Sequence, residues 1–394
     1  MLAIVADSFE KPSETFVRAH ITHIAPGQTV LICRGGETGR QFGCPVLSNI
    51  VPASLRRQPL DRFKNGLLNR WHRYIDPAVN RQNEERVRKF LHRHGVKAVL
   101  AEFGPNGVLV RHACARARVP LYVHFHGFDA TKLARDWHWR RHYRSLFRDA
   151  AGVVVPSQFL SNRVRDLGCP EDKLHVSPNG IELEQFRTAK RIPHRIVTVS
   201  RLVPVKGPLQ TIKAFAQVHQ RFPNAHLDVV GEGELLDECV RLAHNLGIQG
   251  AITFHGAKPT GFISALLARS GIYVQHSVTT DDGQTESFGI APLEAGASGL
   301  PVVATRSGGI LETIVDGETG LLVEEHDVDG MAAAMLSLLN DPECAEAMGR
   351  AGRNLVEAKF THDRTAARLR EIMGLSVQSQ EAISSEVAPG FRTR

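Results

Sequence analysis

No run of about 18 consecutive apolar residues occurs in the sequence, so it predicts no membrane-spanning helix. It also lacks a C-x-x-C pair. Its six cysteines stand at 33, 44, 114, 169, 239 and 344, and the closest two are 11 positions apart. That excludes zinc-knuckle spacing, and scattered thiols suit a reducing compartment better than a disulfide framework. There is no H-E-x-x-H, and the 19 histidines fall mostly beside Arg or aromatic residues, not at ligand spacing. No Walker loop of the form G-x-x-x-x-G-K-[ST] is present. The N-terminus, MLAIVADSFEKP, has an apolar run of five residues and no basic flank. This argues against a secretory leader and for a buried first strand.

What is present is a globular composition. The chain has 394 residues, 42% hydrophobic and 23% charged, which suits two or three domains. The net charge of +7 is unevenly spread: residues 1–180 hold 28 Lys+Arg against 15 Asp+Glu, and residues 181–394 hold 20 against 26. One half is therefore suited to an anionic partner. Its basic residues cluster at 56–97, with twelve basic and four acidic side chains, and in KLARDWHWRRHYRSLFR at 132–148. A basic helix with aromatics can rest on a lipid surface, each cation contributing about 1 kcal/mol near anionic lipid. It can equally be a solvated amphipathic helix whose Trp and Leu face the core. No nucleic-acid-binding module accompanies the charge.

Short β-branched runs alternate with longer helical patterns. Strands are expected near 2–6, 29–33, 97–101, 120–125 and 152–155, then near 195–200, 226–231, 251–254, 272–275, 301–304 and 321–323. Continuous runs such as RIVTVS and LPVVAT suit parallel strands buried on both faces. Between two of them, Leu209, Ile212, Phe215, Val218 and Phe222 recur at three and four, one face of a helix. The rhythm appears twice and predicts two doubly wound Rossmann-like α/β domains. The expected boundaries are 1–180 for the first domain, 181–194 for a linker, 195–375 for the second domain and 376–394 for a mobile tail. A ligand should bind in the cleft between them, at the carboxyl ends of the strands.

Five constellations carry chemistry. In SRLVPVKG at 200–207, Arg201 and Lys206 sit on a strand-to-helix loop, two cations beside a helix N-terminus, suited to clamp a diphosphate. In ESFGIAPLE at 286–294, Pro292 suits a first helical turn, so a helix should start near Ile290 or Ala291. Glu286 then lies on the loop and Glu294 about a turn inside, so the two reach different parts of one ligand. Gly289 allows close backbone approach. Gly231-Glu232-Gly233 is a tight turn after a strand, beside a nucleotide or purely structural; without a third glycine it is no dinucleotide fingerprint. His124 and His126 share one face of a strand and read as a zinc pair, as core histidines or, the favoured reading, as ligand contacts in the cleft. Asp281-Asp282 can hold Mg²⁺ but is favoured as a non-metal loop pair.

In order and context these motifs resemble the family-4 retaining glycosyltransferases of two-Rossmann-domain (GT-B) architecture. The resemblance rests on HGFD at 126–129, SPNGI at 177–181, SRLVPVKG, VVGEGE at 229–234, ESFGIAPLE and GLPVVATRSGGILETIVDGETGLLV at 299–323, and it spans roughly 1–375. KPSETFV at 11–17 is similar to the subset that builds bacterial exopolysaccharide, of the colanic-acid type. The resemblance implies that Arg201 and Lys206 hold the donor diphosphate and that Glu294 bonds the nucleotide ribose. It puts Glu286, with Phe288, Gly289 and Ile290 and the turn at Gly231, against the donor. His126 would meet the donor sugar near the reacting carbon, and Ser13, Glu14, Thr15 and Asp129 would lie on the acceptor side. One departure is the first loop, DSFEKP at 7–12, where many members carry Gly-Gly.

Breaking a glycosidic bond to a nucleoside diphosphate builds negative charge on the phosphate and positive character on the sugar. Fixed cations and N–H dipoles stabilise that state. The expectation is therefore transfer with no metal and no cofactor from a UDP-sugar or GDP-sugar to a saccharide or lipid-linked acceptor; retention of configuration is implied by the resemblance. The expected partners exclude nucleic acid and include an anionic membrane surface, with the protein cytoplasmic or peripheral on the inner face of the membrane. The rival readings are a nucleotide-sugar epimerase and a non-catalytic binder of sugar nucleotides or anionic lipid.

Overall fold

The computed structural model describes residues 1–11, 14–35, 39–50, 77–192 and 194–376. Ser13, much of the first basic cluster and nearly all of the expected tail lie outside these residues.

Two parallel sheets organise the chain. The first joins β1 (Leu2–Ala6), β2 (Thr29–Cys33), β3 (Val46–Leu47), β4 (Ala98–Glu102), β5 (Leu121–His124), β6 (Gly152–Val155) and β7 (Leu174–Val176) in the order β3-β2-β1-β4-β5-β6-β7. The second joins β8 (Arg195–Val199), β9 (His226–Val230), β10 (Ile252–Gly256), β11 (Ile272–Gln275), β12 (Val302–Thr305) and β13 (Gly320–Val323) in the order β10-β9-β8-β11-β12-β13. In both, the strand order reverses beside the first strand, the switch point where such sheets open a ligand crevice.

The uniformly apolar strands follow from burial on both faces. In β1, Ala3 and Val5 enter one core with Val30, Val99 and Phe125, while Leu2, Ile4 and Ala6 enter another with Phe16 and Leu31. Successive side chains point to opposite sides, so a strand covered twice must be apolar at every position. In the second half the expected helix runs Pro208–Arg221 and buries Ile212, Phe215 and Val218, with Leu209 and Phe222 packed at the margin.

Two features depart from the sequence reading. The two-residue β3 and three-residue β7 are edge strands too short to show a period. The last helix, His362–Met373, falls within the boundaries expected for the second domain but packs Ala366, Leu369 and Met373 into a core of the first. Ile181 N–H donates to the Phe360 carbonyl (2.8 Å), and Arg370 donates to the carbonyls of His23 (2.9 Å) and Ile24 (3.1 Å), at the end of helix Thr15–His23. The basic helix Trp137–Asp149 has the buried aromatic face of the amphipathic reading. Trp139, Tyr143, Leu146 and Phe147 are buried, while Arg140, Arg141, Arg144, Arg148 and a 63%-exposed Trp137 face outward. Among the described residues no helix is long and apolar enough to cross a membrane.

Candidate active site between the two sheets

Where β8 ends, the chain turns through Ser200–Val203 into a short 3-10 turn, Pro204–Lys206. The glycine turn after β9 braces this loop. A Cβ on Gly231, which sits at φ +135°, would fall 1.9 Å from the Ser200 carbonyl oxygen, so only glycine fits. Leu202 N–H donates to the Glu232 carbonyl at 2.9 Å. Arg201 is left exposed, and Lys206 extends to the Glu286 carboxylate and forms an ion pair with it.

Glu286 is buried. It also accepts from Gln275 Nε2 at 3.2 Å, and its carbonyl accepts from Gly309 N–H at 2.9 Å. Burial alone would push its carboxyl up. The Lys206 ammonium, the Phe288 N–H and the charge of Arg201 outweigh that and hold it below the usual carboxylate range. Just beyond, helix Ile290–Ala297 begins as expected, with Gly289 at its N-cap and Pro292 in the first turn. Phe288 is a core side chain packed edge-on against Phe360, so only its backbone is available to a ligand. Glu294 is partly covered, and desolvation raises its carboxyl to about 7. It borders a cavity of about 530 Å³ between the halves, whose walls include Thr15, Arg18, Ile181, Thr260 and His362. Glu286 and Glu294 thus have separate surroundings, an ion pair and a cavity wall.

The other side of the cleft is built on β4 and β5. His126 Nε2 lies 2.7 Å from Glu102 Oε2, and its ring stacks on Phe16 with centroids 4.1 Å apart. Glu102 is wholly buried and also takes His20 Nδ1 at 2.7 Å. Its desolvation is outweighed by the charge of His20 and the bonds from His126 and His20, so it stays ionised well below the usual range. His124 is buried in the same stack, 4.1 Å from the His126 ring and 5.3 Å from the His20 ring. Burial, with the nearby charge of His126, drives its pKa well down. Among the described residues, His20, Glu102 and His124 form the one group of possible metal ligands, with one atom each inside 4.8 Å. Neither Glu102 nor His20 was anticipated. The signal for Glu102 is a lone acid closing an otherwise apolar strand, AVLAE.

Asp129 differs from its expected place on the acceptor side. It is 1% exposed, and its carboxylate accepts from the N–H groups of Gly104 (2.9 Å), His126 (3.0 Å), Gly127 (3.0 Å) and Ala130 (3.1 Å). Both oxygens are spent on holding the turn, which leaves no side for an acceptor. Glu14 pairs with Lys11 at 2.9 Å just before helix Thr15–His23, and Thr15 lines the cavity. Asp282 pairs with Lys132 at 2.8 Å, and Arg135 donates to the Asp281 carbonyl at 2.9 Å, so this acid pair joins the two halves. Ser287 Oγ donates to the His126 carbonyl (2.7 Å) and Ser157 Oγ to the Ser287 carbonyl (2.7 Å). Gly127, at φ +124°, approaches Ser287 so closely that a Cβ would lie 2.8 Å from its side chain.

Comparison with known proteins gives this geometry its context. Residues 182–355 match the model of the glycosyl transferases group 1, and residues 31–185 match that of Glycosyltransferase Family 4. The GDP-mannose-dependent alpha-(1-6)-phosphatidylinositol monomannoside mannosyltransferase of Mycolicibacterium smegmatis is 33% identical over 303 residues, 73% of this chain and 77% of that protein. The putative colanic acid biosynthesis glycosyltransferase WcaL of Escherichia coli is 30% identical over 66% of each chain. Among solved structures, Anabaena HepE in complex with UDP superposes with a TM-score of 0.76 at 19% identity, over 95% of this chain and all of that one. Sucrose-phosphate synthase from Thermosynechococcus elongatus superposes with a TM-score of 0.73 at 19% identity, over 95% of this chain and 99% of that one. These likenesses bear out the two-domain GT-B fold.

Proposed function

The chain belongs to the glycosyl transferases of group 1 and family 4, and we propose that it moves a sugar from a nucleoside diphosphate held in this cleft to a saccharide or lipid-linked acceptor, with retained anomeric configuration and no metal ion or cofactor. The observation that carries the reading is the ion pair of Lys206 with the buried Glu286, beside Arg201 and the N-terminus of helix Ile290–Ala297, with the cavity at Glu294 next to it. Arg201 and Lys206 would hold the diphosphate, and Glu294 would accept hydrogen bonds from the ribose hydroxyls. Glu286 and the backbone at Phe288, Gly289 and Ile290 would meet the sugar and phosphate, with His126 opposite them. As the bond from the anomeric carbon to the phosphate oxygen breaks, charge collects on the departing phosphate. Fixed cations and N–H dipoles at that point are each worth about 3 kcal/mol in comparable sites.

Several relatives named as GDP-mannose-dependent support a GDP-sugar, while UDP occupies the structural neighbour at lower identity. The lipid named in the same relatives supports a lipid-linked acceptor. The outward arginines of helix Trp137–Asp149 with the exposed Trp137 support docking on the anionic inner face of a membrane. Incubating the protein in EDTA with GDP-mannose or UDP-glucose and a mannosylated phosphatidylinositol, or a polyprenyl-diphosphate saccharide, tests the reading. It predicts a glycosylated product whose new linkage keeps the donor's anomeric configuration by NMR. An inverted linkage, or a product formed only when divalent metal is restored, would overturn it.

A further inference from the structure

Three imidazoles and one carboxylate crowd together beneath the cleft, and the proposed reaction uses only one of them. Glu102 ends β4 and is fully buried, in register with His124 on the neighbouring strand. An ionised carboxylate accepts hydrogen bonds and cannot donate them. Both rings that reach it must therefore present N–H: His20 from Nδ1 and His126 from Nε2, each at 2.7 Å. That settles one nitrogen of His126. The other, Nδ1, is buried and meets no hydrogen-bond partner. The ring cannot easily turn to exchange them, because Phe16 stacks on it at 4.1 Å and Phe103 packs at 4.7 Å.

We propose that Glu102 is a positioning residue for the transfer reaction: it fixes the His126 ring with Nε2–H turned inward, so that Nδ1 is the nitrogen offered to the donor sugar. His20 is the second positioning residue. It occupies the other Glu102 oxygen and keeps the carboxylate from rotating away. The arrangement explains why an ionised group is kept in a core that apolar residues of equal volume would stabilise as well or better. The inference rests on His126 facing the donor sugar, as set out above.

Nitrogen-15 NMR of the histidine rings tests it on the intact wild-type protein, with the His126 signals assigned by loss in His126→Asn. The expected result is a protonated Nε2 on His126. A ring protonated on Nδ1 alone would overturn the lock without any variant being needed. Glu102→Gln then replaces an obligate acceptor with a group that both donates and accepts. The expected outcome is a mixed His126 tautomer and a kcat lower by roughly 10- to 100-fold, the scale of a misplaced reacting group, with nucleotide affinity within about twofold of wild type. His20→Gln should give a smaller loss of the same kind. An unchanged His126 tautomer in Glu102→Gln would overturn the lock, whereas a changed tautomer with full turnover would instead remove His126 from the proposed reaction. One equivalent of tightly bound zinc in the purified protein, held by His20, Glu102 and His124, would also overturn it.

Discussion

Lys206 and Glu286, 80 positions apart in sequence, form an ion pair at the mouth of the cleft, with the carboxylate buried and the ammonium partly exposed. The asymmetry of burial makes the two ends unequal. Lys206→Met leaves the buried carboxylate without its ion-pair partner, supported only by Gln275, the Phe288 N–H and the charge of Arg201, a loss of up to about 3 kcal/mol. Glu286→Gln leaves a lysine that can still reach water and should cost less. The double variant should recover part of the Lys206→Met loss. Thermal or denaturant unfolding of the four proteins checks the order. Equal losses for the two single variants would contradict the burial argument.

Glu294 gives a pH signature. Desolvation lifts its carboxyl to about 7 in the folded protein from an ordinary value of 4.5. The native state therefore binds the proton more tightly than the unfolded chain. The stabilisation is present below the unfolded-state value and fades as pH rises through the window from 4.5 to about 7. Ribose hydroxyls donating to the carboxylate would favour its ionised form. Nucleotide binding near pH 6 should accordingly release close to one proton. Titration calorimetry in buffers of differing ionisation enthalpy measures this, and Glu294→Gln should abolish the release.

The two halves are held by more than side-chain pairs. The Glu312 carboxylate accepts from the N–H groups of Gln158 (2.7 Å) and Phe159 (2.8 Å), at the start of helix Gln158–Asp166 in the other half. An anion at an exposed helix N-terminus contributes about 1 kcal/mol. Glu312→Ala should therefore weaken this contact between the halves and raise the population in which it is broken by roughly fivefold. Fluorescence transfer between labels on the two halves reports the change, and an unaltered distance distribution would argue against it.

The outward arginines predict a lipid dependence. Arg141 and Arg144 are exposed on helix Trp137–Asp149 while Trp139, Tyr143 and Phe147 pack inward. Removing two cations near an anionic surface costs about 2 kcal/mol. Arg141→Gln/Arg144→Gln should lower partitioning onto phosphatidylglycerol vesicles by roughly 30-fold, with binding to neutral vesicles weak in both proteins. Equal sedimentation of variant and wild type would count against docking by this face.

Much of this was legible in the chain because the physics was local. Uniformly apolar runs such as VLIC and IVTV betray strands covered on both faces. Pro292 and Gly289 mark a helix start to within a residue. The proximity of Lys206 to Glu286 follows from motif order once both loops lie at strand ends of one sheet. What escaped was set by long-range packing. Nothing near Glu102 says that His20, on a helix 82 positions away, will share its carboxylate. The family resemblance puts Asp129 on the acceptor side. Four backbone N–H groups claim it in space. The return of helix His362–Met373 to the first half is equally invisible, since its apolar face, Ala366, Leu369 and Met373, fits either core in composition.

The central claim is that Arg201 and Lys206 form a metal-free diphosphate clamp, and calorimetry in EDTA tests it most directly. Wild type and Arg201→Ala would be titrated with GDP, UDP and the matching nucleosides. Arg201 is exposed, so its loss should leave the fold intact. The account predicts that one diphosphate binds wild type without metal. It further predicts that Arg201→Ala weakens that diphosphate by roughly 10- to 100-fold, the worth of a hydrogen bond to a charged group, while its nucleoside binds as before. Binding that needs added Mg²⁺, or a variant that loses nucleoside and diphosphate alike, would contradict it.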